Sequence, residues 1–99
     1  MNDKAEALKR RTKTFALDVL EFVDTLPSSG TARRIGFQLA DAATSVAANY
    51  RASCRARSKA EFAAKIGVVL EESDESDELT AIFAQSSITA RQHIAEAGR

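Results

Sequence analysis

The chain has 99 residues, 44% of them hydrophobic, with one proline, four glycines and no tryptophan. A chain of this length has a modest core, so we expect a single domain over residues 1–99 whose core a partner subunit completes. Its fourteen basic and fourteen acidic residues balance, which excludes an overall field that would attract nucleic acid or anionic lipid. The alanine-rich composition lacks the alternation that strands need and predicts an all-α protein.

Cysteine use and hydropathy indicate the compartment. Cys54 is the only cysteine, which excludes an intrachain disulfide and a cysteine-based zinc site and fits a reducing environment. The N-terminal stretch MNDKAEALKRRTK is charged, and no segment approaches eighteen apolar residues. We therefore expect a cytoplasmic protein without a membrane partner.

The first predicted helix covers residues 4–26. With Thr12 completing the pattern, its apolar positions recur at spacings of four and three, which is typical of an amphipathic helix; they are Leu8, Phe15, Val19, Phe22 and Leu26. Pro27 ends the helix, because proline disfavours a helical conformation at the residue before it. The following Ser-Ser-Gly supplies turn chemistry.

A second helix is predicted from an N-cap at Thr31 to about Cys54. Its apolar stripe contains Ile35, Leu39, Ala42, Ala43, Val46 and Tyr50. Phe37 lies off this stripe, and an exposed phenylalanine on a helix of small residues indicates a contact surface between subunits. Partial burial of Phe37 beside the stripe is the alternative.

A third helix begins at a capping box, in which Ser58 accepts from the N–H of Glu61 and the Glu61 side chain accepts from the N–H of Ser58. No glycine, proline or asparagine follows between Val68 and Ala97, so we expect one helix over residues 58–95. Four helices with a tight turn near residues 73–77 are the alternative. A rod of roughly 55 Å exceeds what the first two helices can cover, which would expose an apolar face to another copy, formed by Leu79, Ile82 and Phe83.

A family resemblance supports an antiparallel bundle of the four-helix-bundle type. The run GTARRIGFQLADAATSVAANYRASCRARSKAEFAAKIGVVLEESDES, residues 30–76, resembles the bacterial four-helix bundle proteins encoded by intervening sequences within 23S rRNA genes. The resemblance is carried by Gln38-Leu39, Thr44-Ser45-Val46, Ala48-Asn49-Tyr50, Arg57-Ser58, Glu61-Phe62 and the acidic Glu71, Glu72 and Glu75. It extends back through FALDVLEFVDTLP and forward to ELTAIFAQSSITAR.

The resemblance implies a non-enzymatic homo-oligomer. Proteins of this family form antiparallel four-helix protomers that often assemble as pentamers, and a related group accompanies retroelement reverse transcriptases and binds nucleic acid through a basic surface. In this chain Ser76 is followed at once by Asp77, so the hairpin between the third and fourth helices is missing. A pentamer is expected by resemblance, and a dimer if the long helix is exchanged between copies.

Four cations lie close together around the end of the second helix: Arg51, Arg55, Arg57 and Lys59. In one interpretation the arginines cap the helix and form ion pairs, because cations favour a helix C-terminus. In the other, the cations bind the phosphates of RNA or DNA and Tyr50 stacks on a base. The acidic run over residues 71–78 is a third partner for them, within one protomer or between two.

Enzymatic chemistry has one weak signal. Residues 71–75, EESDE, fit the EExxE pattern of all-α magnesium-dependent nucleotide pyrophosphatases. The second acidic pair of such enzymes does not follow downstream, and the only histidine, His93, has alanine three residues before it, which excludes di-iron bundle chemistry. We expect no catalytic residue, no metal and no cofactor, with a magnesium-dependent hydrolase as the alternative.

Overall fold

The computed structural model describes the backbone of residues 3–98 and the side chains of residues 3–85, 92 and 95–98. Within this range the chain forms three helices, α1 (Asp3–Asp24), α2 (Gly30–Ser53) and α3 (Lys59–Ala97). The residues described contain no strand. The predicted all-α bundle with a long third helix is therefore confirmed. None of the helices within these bounds has an eighteen-residue stretch apolar enough to cross a membrane.

The turn between α1 and α2 contains Pro27 and ends at an N-cap two residues earlier than predicted. Ser29 has an extended backbone, and its hydroxyl oxygen accepts from the N–H of Ala32 at 3.2 Å. Because an N-cap oxygen bonds the N–H three residues ahead, this contact starts α2 at Gly30. The prediction of Thr31 as the cap was wrong, since Thr31 already lies within the first turn.

The connection between α2 and α3 is short and closed by its own backbone. The N–H groups of Cys54, Arg55 and Ala56 donate to the carbonyls of Tyr50, Ala52 and Ser53 at 3.0 to 3.2 Å. Ser58 caps α3 as predicted, because its hydroxyl accepts from the N–H of Glu61 at 3.0 Å. The Glu61 carboxylate accepts from the N–H of Arg57 at 3.2 Å, one residue further back than the capping box predicts.

Helix α2 lies between α1 and α3 and packs against both. In the described part of the chain no Cα of α1 lies within 8 Å of a Cα of α3. The two meet through side chains, where the rings of Phe22 and Phe83 make an edge-on contact at 5.8 Å between centroids. The buried apolar residues follow this arrangement and are Ala16, Leu39, Ala42, Ala43, Val46 and Leu79. Helices α1 and α3 are thus placed like diagonal helices of a four-helix bundle, with α2 between them and an open corner opposite α2.

Helix α3 passes through the acidic run without a break. Ser76 is only 2% exposed, and its hydroxyl donates to the carbonyl of Glu72 at 2.9 Å. Thr80 donates in the same way to the carbonyl of Ser76 at 2.8 Å. These bonds satisfy the hydroxyls that the polar middle of the helix carries. The alternative of a tight turn near residues 73–77 is therefore wrong.

The length of α3 divides it into two segments. Its 39 residues span about 58 Å, against about 36 Å for the 24 residues of α2. Phe83 meets Phe22 near the end of α1, so we define residues 59–83 as the proximal segment and residues 84–97 as the distal segment. The distal segment extends past the turn between α1 and α2, and the molecule measures 62 × 21 × 20 Å.

One of the three residues expected to face water on α3 does not do so. Leu79 is only 8% exposed, so its predicted exposure was wrong. The reason is that α2 is long enough to cover α3 as far as Phe83. Phe83 itself is half-buried against Phe22, whereas Ile82 is exposed.

Candidate nucleic-acid interface

Charges are sorted along the molecule. Residues 3–13 and 51–65 hold ten of the fourteen basic residues, whereas residues 18–24 and 71–78 hold nine of the fourteen acidic residues and no basic one. Helix α2 runs antiparallel to both of its neighbours, so its end lies beside the start of α1 on one side and beside the start of α3 on the other. We call this surface the basic end; it comprises Lys9, Arg10, Lys13, Arg51, Arg55, Arg57 and Lys59.

A groove between α1 and α2 forms one side of the basic end. Its volume is about 610 Å³, its rim carries Lys9, Arg10, Lys13 and Arg51, and its other lining residues are Ala16, Leu17, Leu20, Thr44, Ala47 and Ala48. Among the rim cations, only Arg51 was predicted from the sequence. The three cations of α1 recur at helical spacing in the half of α1 that an antiparallel hairpin places beside Arg51, and that spacing was the signal available.

Within one protomer, the described residues do not form the predicted caps and ion pairs of the arginines. Arg51, Arg55, Arg57 and Lys59 are exposed, and among the described residues no carboxylate oxygen lies within 4.0 Å of any of them. The last carbonyls of α2 accept from backbone N–H groups instead. The acidic run of α3 lies farther along the molecule, beside the middle of α2, and does not neutralise these cations.

Lys9 is the exception at the basic end. Its ammonium nitrogen lies 3.0 Å from a carboxylate oxygen of Glu6. This contact with Lys9 lowers the pKa of the Glu6 carboxyl, with smaller effects from neighbouring positive charges. One of the seven cations is therefore partly neutralised within its own helix.

Tyr50 is less available for base stacking than the sequence predicts. Its side chain is half-buried at the end of α2. Burial, and then the neighbouring thiol of Cys54, raise the pKa of the Tyr50 hydroxyl. The hydroxyl is therefore neutral at physiological pH and can donate a hydrogen bond, but only part of the ring faces the solvent.

Two carboxyls of the EExxE pattern, those of Glu72 and Glu75, lie close to each other on α3. Glu71 and Glu75 are exposed, and Glu72 approaches Ser45 on α2. Burial, and then the neighbouring carboxylates of Glu75 and Glu71, raise the pKa of the Glu72 carboxyl, while the Ser45 hydroxyl acts in the opposite direction. No three His, Cys, Asp or Glu side chains are grouped to hold a metal ion among the residues searched, and the side chain of His93 lies outside those that the structure describes.

Ser45 belongs to a polar line between α2 and α3. The amide nitrogen of Asn49 donates to the carbonyl and to the hydroxyl of Ser45, at 3.0 and 2.9 Å. Ser53 is buried on the same helix, and its hydroxyl donates to the carbonyl of Tyr50 at 2.6 Å. Three of the residues that carry the family resemblance therefore lie together in the structure: Asn49 and Glu72 are both next to Ser45.

The apolar interface candidates lie in two places. Phe37 is 61% exposed and lines a groove of about 400 Å³ with Val23 and Pro27. Ile82 and Phe83 line a larger groove of about 690 Å³ beside the α1–α2 turn. The structure therefore keeps three of the four candidates at the surface but does not bring Phe37 together with the others.

Comparison with known proteins gives no match. No family model fits the chain, and no curated protein or solved structure is significantly similar to it. The resemblance to the intervening-sequence proteins therefore stays a prediction, and the function has to be argued from the geometry.

Proposed function

We propose that this chain is a non-enzymatic, self-associating protein of the bacterial cytoplasm that binds the phosphates of single-stranded RNA at its basic end. The observation that supports this most strongly is the set of exposed cations around the α2–α3 connection, which have no carboxylate partner in the described part of the chain. The net charge of the chain is zero, so its positive surface arises from the separation of basic and acidic residues along the helices.

Phosphate recognition follows from the residue types. Arginine presents a planar fork of donors that matches two phosphate oxygens, and the end of α2 and the following connection carry three arginines: Arg51, Arg55 and Arg57. Each phosphate that they neutralise releases condensed counterions, which drives binding and makes it depend steeply on salt. The acidic residues beside the middle of α2 repel a strand that strays from the basic end, so the site is local.

The groove between α1 and α2 favours a single strand over a duplex. Cations stand on its rim, while its floor is formed by small and aliphatic side chains such as Leu17 and Ala47. An unstacked base can enter such a groove while its phosphate contacts the rim, whereas a paired base stays within the duplex. The choice of RNA over DNA comes from the family resemblance, and single-stranded DNA of the same sequence is the probe that tests it.

The decisive experiment compares two pairs of arginines. One pair lies at the basic end, and the other lies near the opposite end of α2. Arg51→Glu with Arg55→Glu reverses two charges at the basic end, and Arg33→Glu with Arg34→Glu reverses two exposed charges near the other end of α2. Fluorescence anisotropy with a labelled single-stranded RNA is measured at several salt concentrations. In the first variant, the slope of log K against log salt should become shallower by roughly 0.7 for each phosphate that the protein no longer neutralises.

The control variant decides whether location matters. It has the same net charge as the first variant and should keep the wild-type salt slope, because its arginines lie away from the basic end. Equal weakening by both pairs, or no RNA binding by the wild type at low salt, would show that the basic end is not a phosphate site. Equal affinity for single-stranded DNA of the same sequence would contradict the choice of RNA.

Self-association is supported by the apolar surface. Among the side chains that the structure describes, nine large hydrophobic ones are exposed, namely Leu8, Phe15, Leu17, Leu20, Phe22, Phe37, Phe62, Leu70 and Ile82. Several of them recur along one side of α1, and a continuous apolar surface on a soluble protein marks a contact with another molecule. We therefore propose that copies of this chain associate, as the resemblance implies.

A further inference from the structure

On its α1 side, the open corner between α1 and α3 is lined by apolar side chains, whereas residues 71–78 of α3 include six acidic residues. On α1, Leu8, Phe15 and Phe22 follow one another at a spacing of seven and are exposed. The contact of Phe22 with Phe83 shows that this row lies on the side of α1 that faces α3. On α3, Phe62 is exposed and the next turns carry half-buried apolar residues. A further helix in this corner would complete a four-helix arrangement.

The distal segment of α3 begins at Ala84, which still lines a groove with residues of α1 and α2, and it then continues beyond the length that α2 can cover. Residues 84–97 extend beyond α1 and α2, and a helix of fourteen residues is marginal in water without a partner. The segment contains only two charged residues other than histidine, Arg91 and Glu96, against six acidic residues over 71–78. If this segment is buried, few of its own charged groups therefore have to leave water.

The two features match in length and in position. From Leu8 to Phe22 α1 rises about 21 Å, and the fourteen residues of the distal segment rise about 21 Å as well. The segment also leaves the protomer at the end of the molecule where the open corner begins, next to Phe22 and Phe83. Two copies related by a two-fold axis can therefore insert their distal segments into each other's corners without a bend in α3.

We infer that the occupant of the open corner is the distal segment of a second copy, and that the exchange is reciprocal. The dimer is isologous, with its two-fold axis near residue 83, and each corner becomes a four-helix arrangement of three helices from one protomer and one from its partner. This inference rests on the self-association part of the proposed function and is independent of RNA binding. The basic ends of the two protomers then lie at opposite ends of the dimer.

The first test measures a distance between copies. Spin labels are placed at Asp18→Cys in one sample and at Gln92→Cys in another, both in a Cys54→Ala background, and the two samples are mixed, denatured together and refolded together. In the exchanged dimer, residue 92 of one copy lies about one helical turn from the level of Asp18 of the other. With helix axes about 10 Å apart, the labels should give an intermolecular distance below roughly 20 Å. Absence of a signal in this range, in a sample that light scattering shows to be oligomeric, would overturn the exchange.

The second test uses two substitutions on opposite sides of α1. Phe15 is 39% exposed in the open corner, and Leu17 is 54% exposed in the groove beside α2. Phe15→Glu should weaken the dimer at least about a hundredfold, because it places a carboxylate in the apolar row of α1 that contacts the second copy. Leu17→Glu is the matched control and should leave the dimer intact. The reverse result, dissociation by Leu17→Glu alone, would place the interface on the other side of α1 and overturn the inference.

The outcomes separate this inference from the proposed function. A wild-type chain that is monomeric at all concentrations contradicts both the exchange and self-association. An oligomer without the 18–92 distance contradicts the exchange alone. Circular dichroism of Phe15→Glu checks that helix content persists, and the labelled proteins, which keep Phe15, test the exchange even if that variant does not fold. RNA binding is scored separately by the arginine pairs.

Discussion

The two segments of α3 differ in what covers them. In the proximal segment, Ser76 and Leu79 are buried against α2, and the hydroxyl of Ser76 is satisfied within its own helix. In the distal segment, the described side chains, which include those of Ala84 and Gln92, are exposed. The same helix thus packs against α2 over one part of its length and exposes its described side chains over the other.

This difference shows which forces set the length of the helix. Packing within the protomer does not explain the full length of α3, since its 39 residues are too many for the 24 residues of α2 to cover. Local sequence can, because nothing before Gly98 stops a helix or favours a reversal. A chain that cannot turn back cannot close its own bundle, and the open corner is the consequence. In the proposed dimer, association between copies supplies the burial that one chain lacks.

The largest expected effect is a loss of amide protection in the distal segment when the dimer is broken. In the wild type, hydrogen exchange should be slow over both segments of α3. In Phe15→Glu, residues 84–97 should exchange at least about a hundredfold faster, because a short helix without a partner opens freely. The proximal segment should keep its protection, since α2 still covers it. Fast hydrogen exchange of the distal segment in the wild-type dimer would contradict its burial against a second copy.

The next effect compares two neighbouring apolar residues of the proximal segment. Leu79→Ala removes a buried side chain and should lower the free energy of unfolding by about 2–4 kcal/mol. Ile82→Ala removes a side chain that is exposed in the protomer and should lower the free energy of unfolding by clearly less. Both substitutions are compared in a Phe15→Glu background, where chemical denaturation measures the stability of the protomer alone. Equal decreases in the free energy of unfolding would mean that α2 does not cover α3 in the way described.

A smaller effect distinguishes the two glycines that lie inside helices. A Cβ at Gly67, on the proximal segment, meets no atom within 4 Å, whereas one at Gly36 meets side-chain atoms of Leu26 and Val23 at 3.1 and 3.2 Å. Gly67→Ala should therefore stabilise the folded protein by about 0.5–1 kcal/mol, because alanine has a higher helix propensity than glycine. Gly36→Ala should stabilise less or not at all, because α1 packs closely on α2 there. Thermal melts that show the same stabilisation for both would contradict this close packing.

The smallest effect concerns pH. Burial and neighbouring carboxylates raise the pKa of Glu72 in the folded protein, so the folded state binds this proton more tightly than the unfolded state does. Stability should therefore fall as pH rises through the pKa of Glu72. Glu72→Gln should match the wild type at low pH and exceed it at neutral pH by about 0.3 kcal/mol, the size of a like-charge pair on a helix.

A control variant separates this local effect from net charge. Glu78→Gln removes a charge at an exposed position of the same acidic run. If it reproduces the pH dependence of Glu72→Gln in urea titrations, the contact of Glu72 with the α2–α3 interface is not the cause.

Much of the fold could be predicted from local sequence. The three helices and the continuity of α3 followed from apolar spacing, from Pro27 and from the absence of stop signals after Val68. The N-cap was misplaced because Ser29 and Thr31 are both capping residues, and only the backbone shows which one has an extended conformation. Leu79 was misassigned because its burial depends on how far α2 reaches along α3, which is a tertiary property.

The candidate site could be predicted only in part. The cations at residues 51–59 stand out because they are close in the sequence, whereas Lys9, Arg10 and Lys13 join them only through the antiparallel packing of α1 on α2. Whether an arginine caps a helix, pairs with a carboxylate or faces water depends on where other groups lie. The pattern left those alternatives open, and the structure shows exposed cations and backbone-capped carbonyls.

The measurement that tests the central claim most directly is the solution mass of the wild-type chain by light scattering over a range of concentrations. The exchange of distal segments predicts twice the mass of one chain, and the same value on dilution until the dimer dissociates as a unit. Phe15→Glu should give the mass of a single chain under the same conditions. A wild type that stays at the mass of one chain would contradict self-association, and a mass of five chains would match the family resemblance and contradict the reciprocal dimer.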